Sequence, residues 1–230
     1  MILLWAENAS RWPEDVEAKI AARMPPALAA AARRYRRWED RQASLLGKLL
    51  LEAQVDRAGL RTSLANLRHS AHGRPWLPGT GDFNISHAGS RVICGWSNRG
   101  RIGVDVELHR PELRLADFEA LLSAPEQVEL NMAADPVREL IRIWTLKEAV
   151  AKAEGSGIAG AALPDCAGCS PGRPVRFGGR DWYLRGFEDA GHRIACAAED
   201  PAALACATQL QMRLCQYARL QPVGAAVPLP

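Results

Sequence analysis

The sequence predicts an α+β fold of two pseudo-symmetric halves, each a helix packed on a small antiparallel sheet. Three observations carry this. A helical run over residues 26–58 leads into short strand-like runs separated by tight turns. A second helical run, over 135–154, leads into three more. The run at 102–108 alternates apolar and polar residues, the period of a half-buried strand, and with the two runs before it reads as a meander. Helix then hairpins, twice along 230 residues, is the pattern of an internal repeat of one supersecondary plan.

In the first helical run Leu45, Leu46, Leu49 and Leu50 recur at helical spacing, and Gly59 is a natural stop. Residues 72–81 (HGRPWLPGTG) carry the Gly and Pro marks of a loop. Strand-like runs follow at 83–87, 91–97 and 102–108, with turns at Ala88-Gly89-Ser90 and Asn98-Arg99-Gly100. The second helix holds Leu140, Ile141, Ile143, Trp144, Leu146 and Val150, and ends in Gly155-Ser156-Gly157. Its strands are expected at 174–177, 182–188 and 192–197, with turns at Gly178-Gly179 and Asp189-Ala190-Gly191. The boundary between halves falls at 101–103. This gives an N-terminal half, 1–102, a C-terminal half, 103–200, and an appendage, 201–230. The appendage has one alternating run at 209–214, then a Pro- and Ala-containing tail expected to fray.

Composition narrows the class. Hydrophobic residues make up 48% and charged residues 24%, the range of a core-forming globular chain. The net charge of +3 does not call for a nucleic-acid partner, but it suits anionic ligands if the basic residues cluster. Residues 1–6 (MILLWA) are too short for a signal core and lack a basic lead. No stretch approaches the roughly 20 apolar residues of a membrane span, so a cytoplasmic protein without a membrane partner is expected. Of the six cysteines, Cys166 and Cys169 have the spacing of half a zinc site, but no second pair stands nearby. Reduced, mostly buried thiols are expected.

Four groups of residues carry chemistry. In Gly103-Val104-Asp105-Val106-Glu107, a strand puts Asp105 and Glu107 on one face and the valines on the other. Two neighbouring carboxylates repel unless a cation lies between them, and hard oxygen ligands suit Mg²⁺. The plainer alternative is the solvent face of an edge strand. On the second helix, Trp144, Glu148 and Lys152 stand at i, i+4 and i+8 and form one stripe. A Glu–Lys pair on a wet surface is the alternative, which the large ring of Trp144 disfavours because it needs burial. Arg74, between Gly73 and Pro75, and Ser86-His87 at a strand end are phosphate donors or turn residues. In the run Arg33-Arg34-Tyr35-Arg36-Arg37, a continuous helix puts Arg34, Arg37 and Arg41 on one face, to meet solvent, an anion or an acidic protein.

The blocks GRP at 73–75, FNISHAG at 83–89, GVDVE at 103–107 and WTLKEAVAKAEGSG at 144–157 stand in one order. In that order and spacing the chain resembles the surfactin-type 4′-phosphopantetheinyl transferases over about residues 31–160, a span that includes RRYRRWEDRQASLLGKLL at 33–50. The resemblance implies two α+β halves with coenzyme A between them, the N-terminal half holding the adenosine end and the C-terminal half the metal and the chemistry. It implies an enzyme that moves the phosphopantetheine arm of coenzyme A to a serine of an apo acyl or peptidyl carrier protein, acting as a monomer. Asp105, Glu107 and Glu148 would hold Mg²⁺. Lys152 would contact the pyrophosphate. Arg74, Ser86 and His87 would hold the adenosine end, His87 on the 3′-phosphate with Ser44 nearby. Glu126 would help activate the incoming serine, beside Glu148 and Lys152 as catalytic groups. Lys147 lies in the motif and is carried over as a coenzyme A contact, although a helix turns it about 100° away from Glu148.

One departure stands out. Relatives carry lysines one or two turns before the arginine run, where they contact coenzyme A. Residues 27–32 here are ALAAAA, without charge, so Arg34, Arg37 or Arg41 is expected to compensate. A metal-dependent nuclease would instead place an acid-x-lysine pair on a strand, whereas these lysines lie on a helix beside a Trp. A non-catalytic binding module would not need all three carboxylates.

Overall fold

A computed structural model describes residues 1–155, 163–170, 172–215 and 219–230 of the chain. The first half opens with β1 (Ile2–Glu7), followed by α1 (Glu14–Arg23), α2 (Pro26–Arg33) and α3 (Trp38–Arg57). A short ribbon, β2 (Arg68–His69) with β3 (Pro75–Trp76), leads to the hairpin β4 (Asp82–Ala88) and β5 (Arg91–Ser97). The second half has β6 (Ile102–Leu108), α4 (Ala124–Met132), α5 (Pro136–Glu154) and the strands β7 (Val175–Phe177), β8 (Arg180–Asp189) and β9 (His192–Ala198). The chain then runs through α6 (Pro201–Ala205), β10 (Thr208–Leu214), β11 (Leu220–Pro222) and β12 (Val227–Pro228).

One sheet has the order β11-β10-β1-β5-β4, with β12 also on β10, and the other the order β6-β9-β8-β7. Leu46, Leu49 and Leu50 of α3 pack on one face of the first sheet with Leu4, Val92 and Cys94. On its other face Leu3 and Ile93 meet Val104, Val106, Ile194 and Cys196 of the second sheet. Behind that, Leu146, Ala149, Val150 and Ala153 of α5 pack on Trp182, Leu184, Ala195 and Ala197. The layers run helix, sheet, sheet, helix. This is the α+β plan of two helix-on-sheet halves that the sequence predicts.

Two expectations are corrected. The helical run 26–58 is two helices. Arg37 is extended (φ −75, ψ 137) at the start of α3, and the chain turns a corner at 34–37. The corner lets Ala29 and Ala32 of α2 enter the same core as the α3 leucines. Arg34, Arg37 and Arg41 therefore do not share a helical face. Arg41 is taken by Glu17 at 2.5 Å and by the Tyr35 carbonyl at 3.2 Å. The described residues of 201–230 do not hang free either. β10 pairs in parallel with β1, burying Leu210 and Met212, and Arg185 donates to the carbonyls of Leu204, Leu229 and Pro230. β1 is flanked on both sides only because this segment returns to it.

The seam between the halves lies between β4 and β6. No backbone ladder joins these two strands; side chains of every second β4 residue bridge them. Asp82 accepts from the Ile102 N–H at 2.8 Å and Asn84 from the Val104 N–H at 3.0 Å. Ser86 donates to Asp105 at 2.8 Å. Arg74 pins the same seam, donating to Asp82 at 2.6 Å, to the Ile102 carbonyl at 2.8 Å and to the Lys152 carbonyl of α5. α5 comes close because position 103 has no side chain: a Cβ there would collide with the Ala149 carbonyl oxygen and lie 2.5 Å from the Ala153 nitrogen. Gly103→Ala is therefore expected to lower stability by about 3 kcal/mol, the upper end of overpacking costs. The midpoint of urea unfolding measures this, and an unchanged midpoint would remove the close approach as a constraint.

Candidate active site

The seam brings the chemistry-bearing residues of β4, β6 and α5 together. On β6, Val104 and Val106 point into the core between the sheets, and Asp105 points to α5 and is only 2% exposed. α5 begins at Asp135, whose side chain accepts from the Arg138 N–H at 3.0 Å, and at Pro136 in its first turn. It ends at Gly155, whose φ of 93 is the left-handed cap that glycine adopts without strain. Its apolar stripe is held by the second sheet, so Trp144, Glu148 and Lys152 face the seam. The Trp144 ring meets Phe118 edge-on, 5.4 Å between centroids, and lines one pocket with Glu107.

Asp105 Oδ1 accepts from Ser86 Oγ and from Lys152 Nζ. Lys152 Nζ also donates to Ser86 Oγ at 2.9 Å and stands 3.9 Å from Glu148 Oε2. Asp105 Oδ2 is buried without a hydrogen-bond partner. Desolvation pushes Glu148 up to about 7; Lys152 opposes this, and Asp105 and Glu107 add to it. Glu107 is raised by desolvation and then by Asp105. Burial works against the charge of Lys152, but Asp105, Glu148 and Glu107 together outweigh it and the pKa rises. Three carboxylates thus repel one another around a single ammonium.

The donor set fits a hard divalent cation on these grounds: oxygen ligands, an orphaned buried carboxylate oxygen, and repulsion that a cation would remove. Among the described residues no three such side chains converge at coordination distance, and Lys152 sits on Asp105. All six cysteines are free thiols, and Cys166 is buried.

His87 stands exposed at the end of β4. Desolvation lowers its pKa, Asp40 and Asp105 work to raise it, and Lys152 and Lys48 to lower it. Ser44 lies half-buried on α3, one turn before Lys48. Ser86, expected as a phosphate donor, is spent on Asp105 and Lys152.

Three further expectations are corrected. Arg74 is spent on the fold: its side chain is 8% exposed, and both terminal nitrogens bind protein oxygens along the seam. Lys147 and Glu126 form a sealed pair. Lys147 Nζ lies 2.8 and 2.6 Å from the two Glu126 oxygens and 2.6 Å from the Pro164 carbonyl. The same carboxylate accepts from the Cys166 and Ser123 N–H groups, each at 2.7 Å, and the Glu126 side chain is 0% exposed. It has no access to an incoming serine. The sequence carried a signal for this: Ser123-x-x-Glu126 is a capping box at the start of α4. The bridging roles of Asp82 and Asn84 were not anticipated, since they depend on two strands meeting without a ladder. Ser156 and Gly157 of the last motif lie outside the described residues.

Residues 101–199 match the model of the 4′-phosphopantetheinyl transferase superfamily. The chain is 33% identical over 141 residues to the 4′-phosphopantetheinyl transferase AcpT of Salmonella typhi, covering 59% of this chain and 68% of that protein. The chain belongs to the 4′-phosphopantetheinyl transferase superfamily. It is also 32% identical over 133 residues to the 4′-phosphopantetheinyl transferase Sfp of Bacillus subtilis, covering 55% of this chain and 58% of Sfp. With the 4′-phosphopantetheinyl transferase gsp of Aneurinibacillus migulanus it shares 31% over 129 residues, covering 54% of this chain and 53% of gsp. The chain thus spans less than two thirds of the length of Sfp and of gsp. Within this superfamily member, the superfamily match begins at the seam and takes in β6, α5 and the whole second sheet.

Two outcomes follow from the geometry. A carboxyl whose pKa is raised in the folded state contributes stability that is present below its unfolded pKa, near 4.5, and is lost as pH rises through about 7. In chelator-treated protein Glu148→Gln should remove a loss on the order of 3 kcal/mol between those limits. Urea midpoints at pH 4 and 8 measure it; equal pH slopes for wild type and variant would count against the repulsion. Glu126→Ala leaves the Lys147 ammonium buried without a counter-charge, and should lower the urea-unfolding stability by about 3–5 kcal/mol, part of which Glu126→Gln with Lys147→Met restores.

Proposed function

We propose that this protein transfers the 4′-phosphopantetheine arm of coenzyme A to a serine of an apo acyl or peptidyl carrier protein, releasing 3′,5′-ADP, with Mg²⁺ as cofactor. The observation that carries the reading is the orphaned Asp105 carboxylate oxygen, buried at the seam beside Glu107, Glu148 and Lys152. The named activities of AcpT, Sfp and gsp support the same reaction.

In this reaction the serine oxygen bonds to the β-phosphorus of coenzyme A, and the bond from that phosphorus to the bridging oxygen breaks. The protein supplies position and charge. Asp105, Glu107 and Glu148 would hold Mg²⁺, which when bound neutralises the pyrophosphate. Lys152 exchanges its bond to Asp105 for the same phosphate charge. Ser86 keeps the Asp105 carboxylate oriented. Glu148 is the carboxylate at the seam placed to take the serine proton, a task closed to Glu126 by its burial. Ser44 and His87 take the 3′-phosphate end. The exposed arginines of the corner between α2 and α3 face the acidic carrier. The reading includes a cytoplasmic monomer; no helix among the described residues is long and apolar enough to cross a membrane.

Incubating the protein with coenzyme A, Mg²⁺ and a panel of apo carriers tests the reading by mass spectrometry. One phosphopantetheine arm should be gained on a carrier serine. Asp105→Ala should fold and yet transfer at least about a hundredfold more slowly. Transfer at the wild-type rate by the folded variant would refute the role of Asp105.

A further inference from the structure

Residues 27–32 lack the expected cations, and the structure disperses the arginines meant to replace them. Arg41 is committed to Glu17, and Arg33, Arg34, Arg36 and Arg37 sit exposed on a corner. The anion site at the coenzyme A end therefore needs another cation. Lys48 is on α3, one turn after Ser44 and on the same face of the helix. α3 is held tightly against β4 at this level: a Cβ on Gly47 would stand 2.8 Å from the Ile85 side chain, two residues before His87. Lys48 and His87 are close enough for the charge of one to depress the pKa of the other.

Lys48 is also in an unusual state. It is half-buried, and desolvation lowers its pKa. Among the described residues no carboxylate offsets this. The titratable group acting on it is the buried thiol of Cys94, itself pushed up to about 12 and so uncharged at neutral pH. An ammonium taken partly out of water without a counter-ion is costly, and an anionic ligand would remove the cost.

We infer that Lys48 is a phosphate-binding residue, set with Ser44 and His87 on facing elements to receive a phosphate monoester, the 3′-phosphate of coenzyme A. This rests on the functional reading above for the identity of the ligand. It adds a specificity determinant that supplies, from the middle of α3, the charge missing from residues 27–32.

Calorimetric titration of the full chain with coenzyme A, dephospho-coenzyme A and 3′,5′-ADP tests the inference without requiring turnover. Wild type should prefer coenzyme A over dephospho-coenzyme A. Lys48→Met keeps the aliphatic stem, and should weaken coenzyme A and 3′,5′-ADP about tenfold or more while leaving dephospho-coenzyme A nearly unchanged. Lys48→Arg should retain part of the preference. If Lys48→Met keeps the full preference, Lys48 only covers apolar surface with its head in water, and the inference falls alone. A wild type that binds coenzyme A and dephospho-coenzyme A equally overturns it too. A wild type that binds no coenzyme A overturns the functional reading and this inference with it.

Discussion

Asp82, Asn84 and Ser86 close the seam between β4 and β6 with side-chain hydrogen bonds where a continuous sheet would use its backbone. A ladder would have spent the β6 amides on the β4 backbone and put the two strands in one sheet. Side chains hold the strands apart by their own length, leaving the two halves distinct and their sheets able to pack face to face. They also deliver Ser86 to the one buried acid of the seam. Arg74 extends the same seam to the end of α5, and Gly103 lets that helix lie directly on β6. The position of Glu148 and Lys152 relative to Asp105 is a product of these contacts.

The site so assembled is electrostatically uncomfortable. Burial favours neutral carboxyls, whereas the three acids are brought together and share one lysine. Lys152 relieves Asp105 on one oxygen and leaves the other unpaired. Two other buried charges have an opposite charge beside them: Glu126 has Lys147 and two backbone amides, and Arg91 has Asp189 at 2.6 Å and the face of Trp5 at 3.8 Å. The contrast separates residues that serve the fold from those left poised for a ligand. It separates Lys147 from Lys152 although both belong to one motif.

The α+β plan and the grouping of Asp105 with Glu107, and of Trp144 with Glu148 and Lys152, were legible in the sequence because they depend on local patterns: period-two alternation around Asp105 and the i, i+4, i+8 stripe of α5. Features set by contacts distant in sequence were not. β10 lies beside β1 because each buries a face against the same core, a pairing across some two hundred residues that alternation alone does not announce. The break at 34–37 depends on α2 and α3 sharing that core, while helix propensity runs on through the alanines and arginines. Motif membership misled in the other direction. Arg74 and Lys147 stand inside motif blocks, yet their side chains are consumed by the fold, and only the partners of each nitrogen reveal it.

The Lys147–Glu126 pair has a mechanical side. Small residues such as Ala149 and Ala153 let α5 lie close to β6 but offer little resistance of their own to a roll about its axis. At the outer radius of a helix, about 5–6 Å, a roll of about 20° carries a side-chain tip about 2 Å. Lys147 projects from the flank of α5, and its ammonium is gripped by the Glu126 carboxylate and the Pro164 carbonyl. It acts as a key in a keyway, fixing the rotational phase of α5. The neighbouring side chain of Glu148, a hundred degrees round the barrel of the helix, is aimed by a bond on which it has no hold of its own.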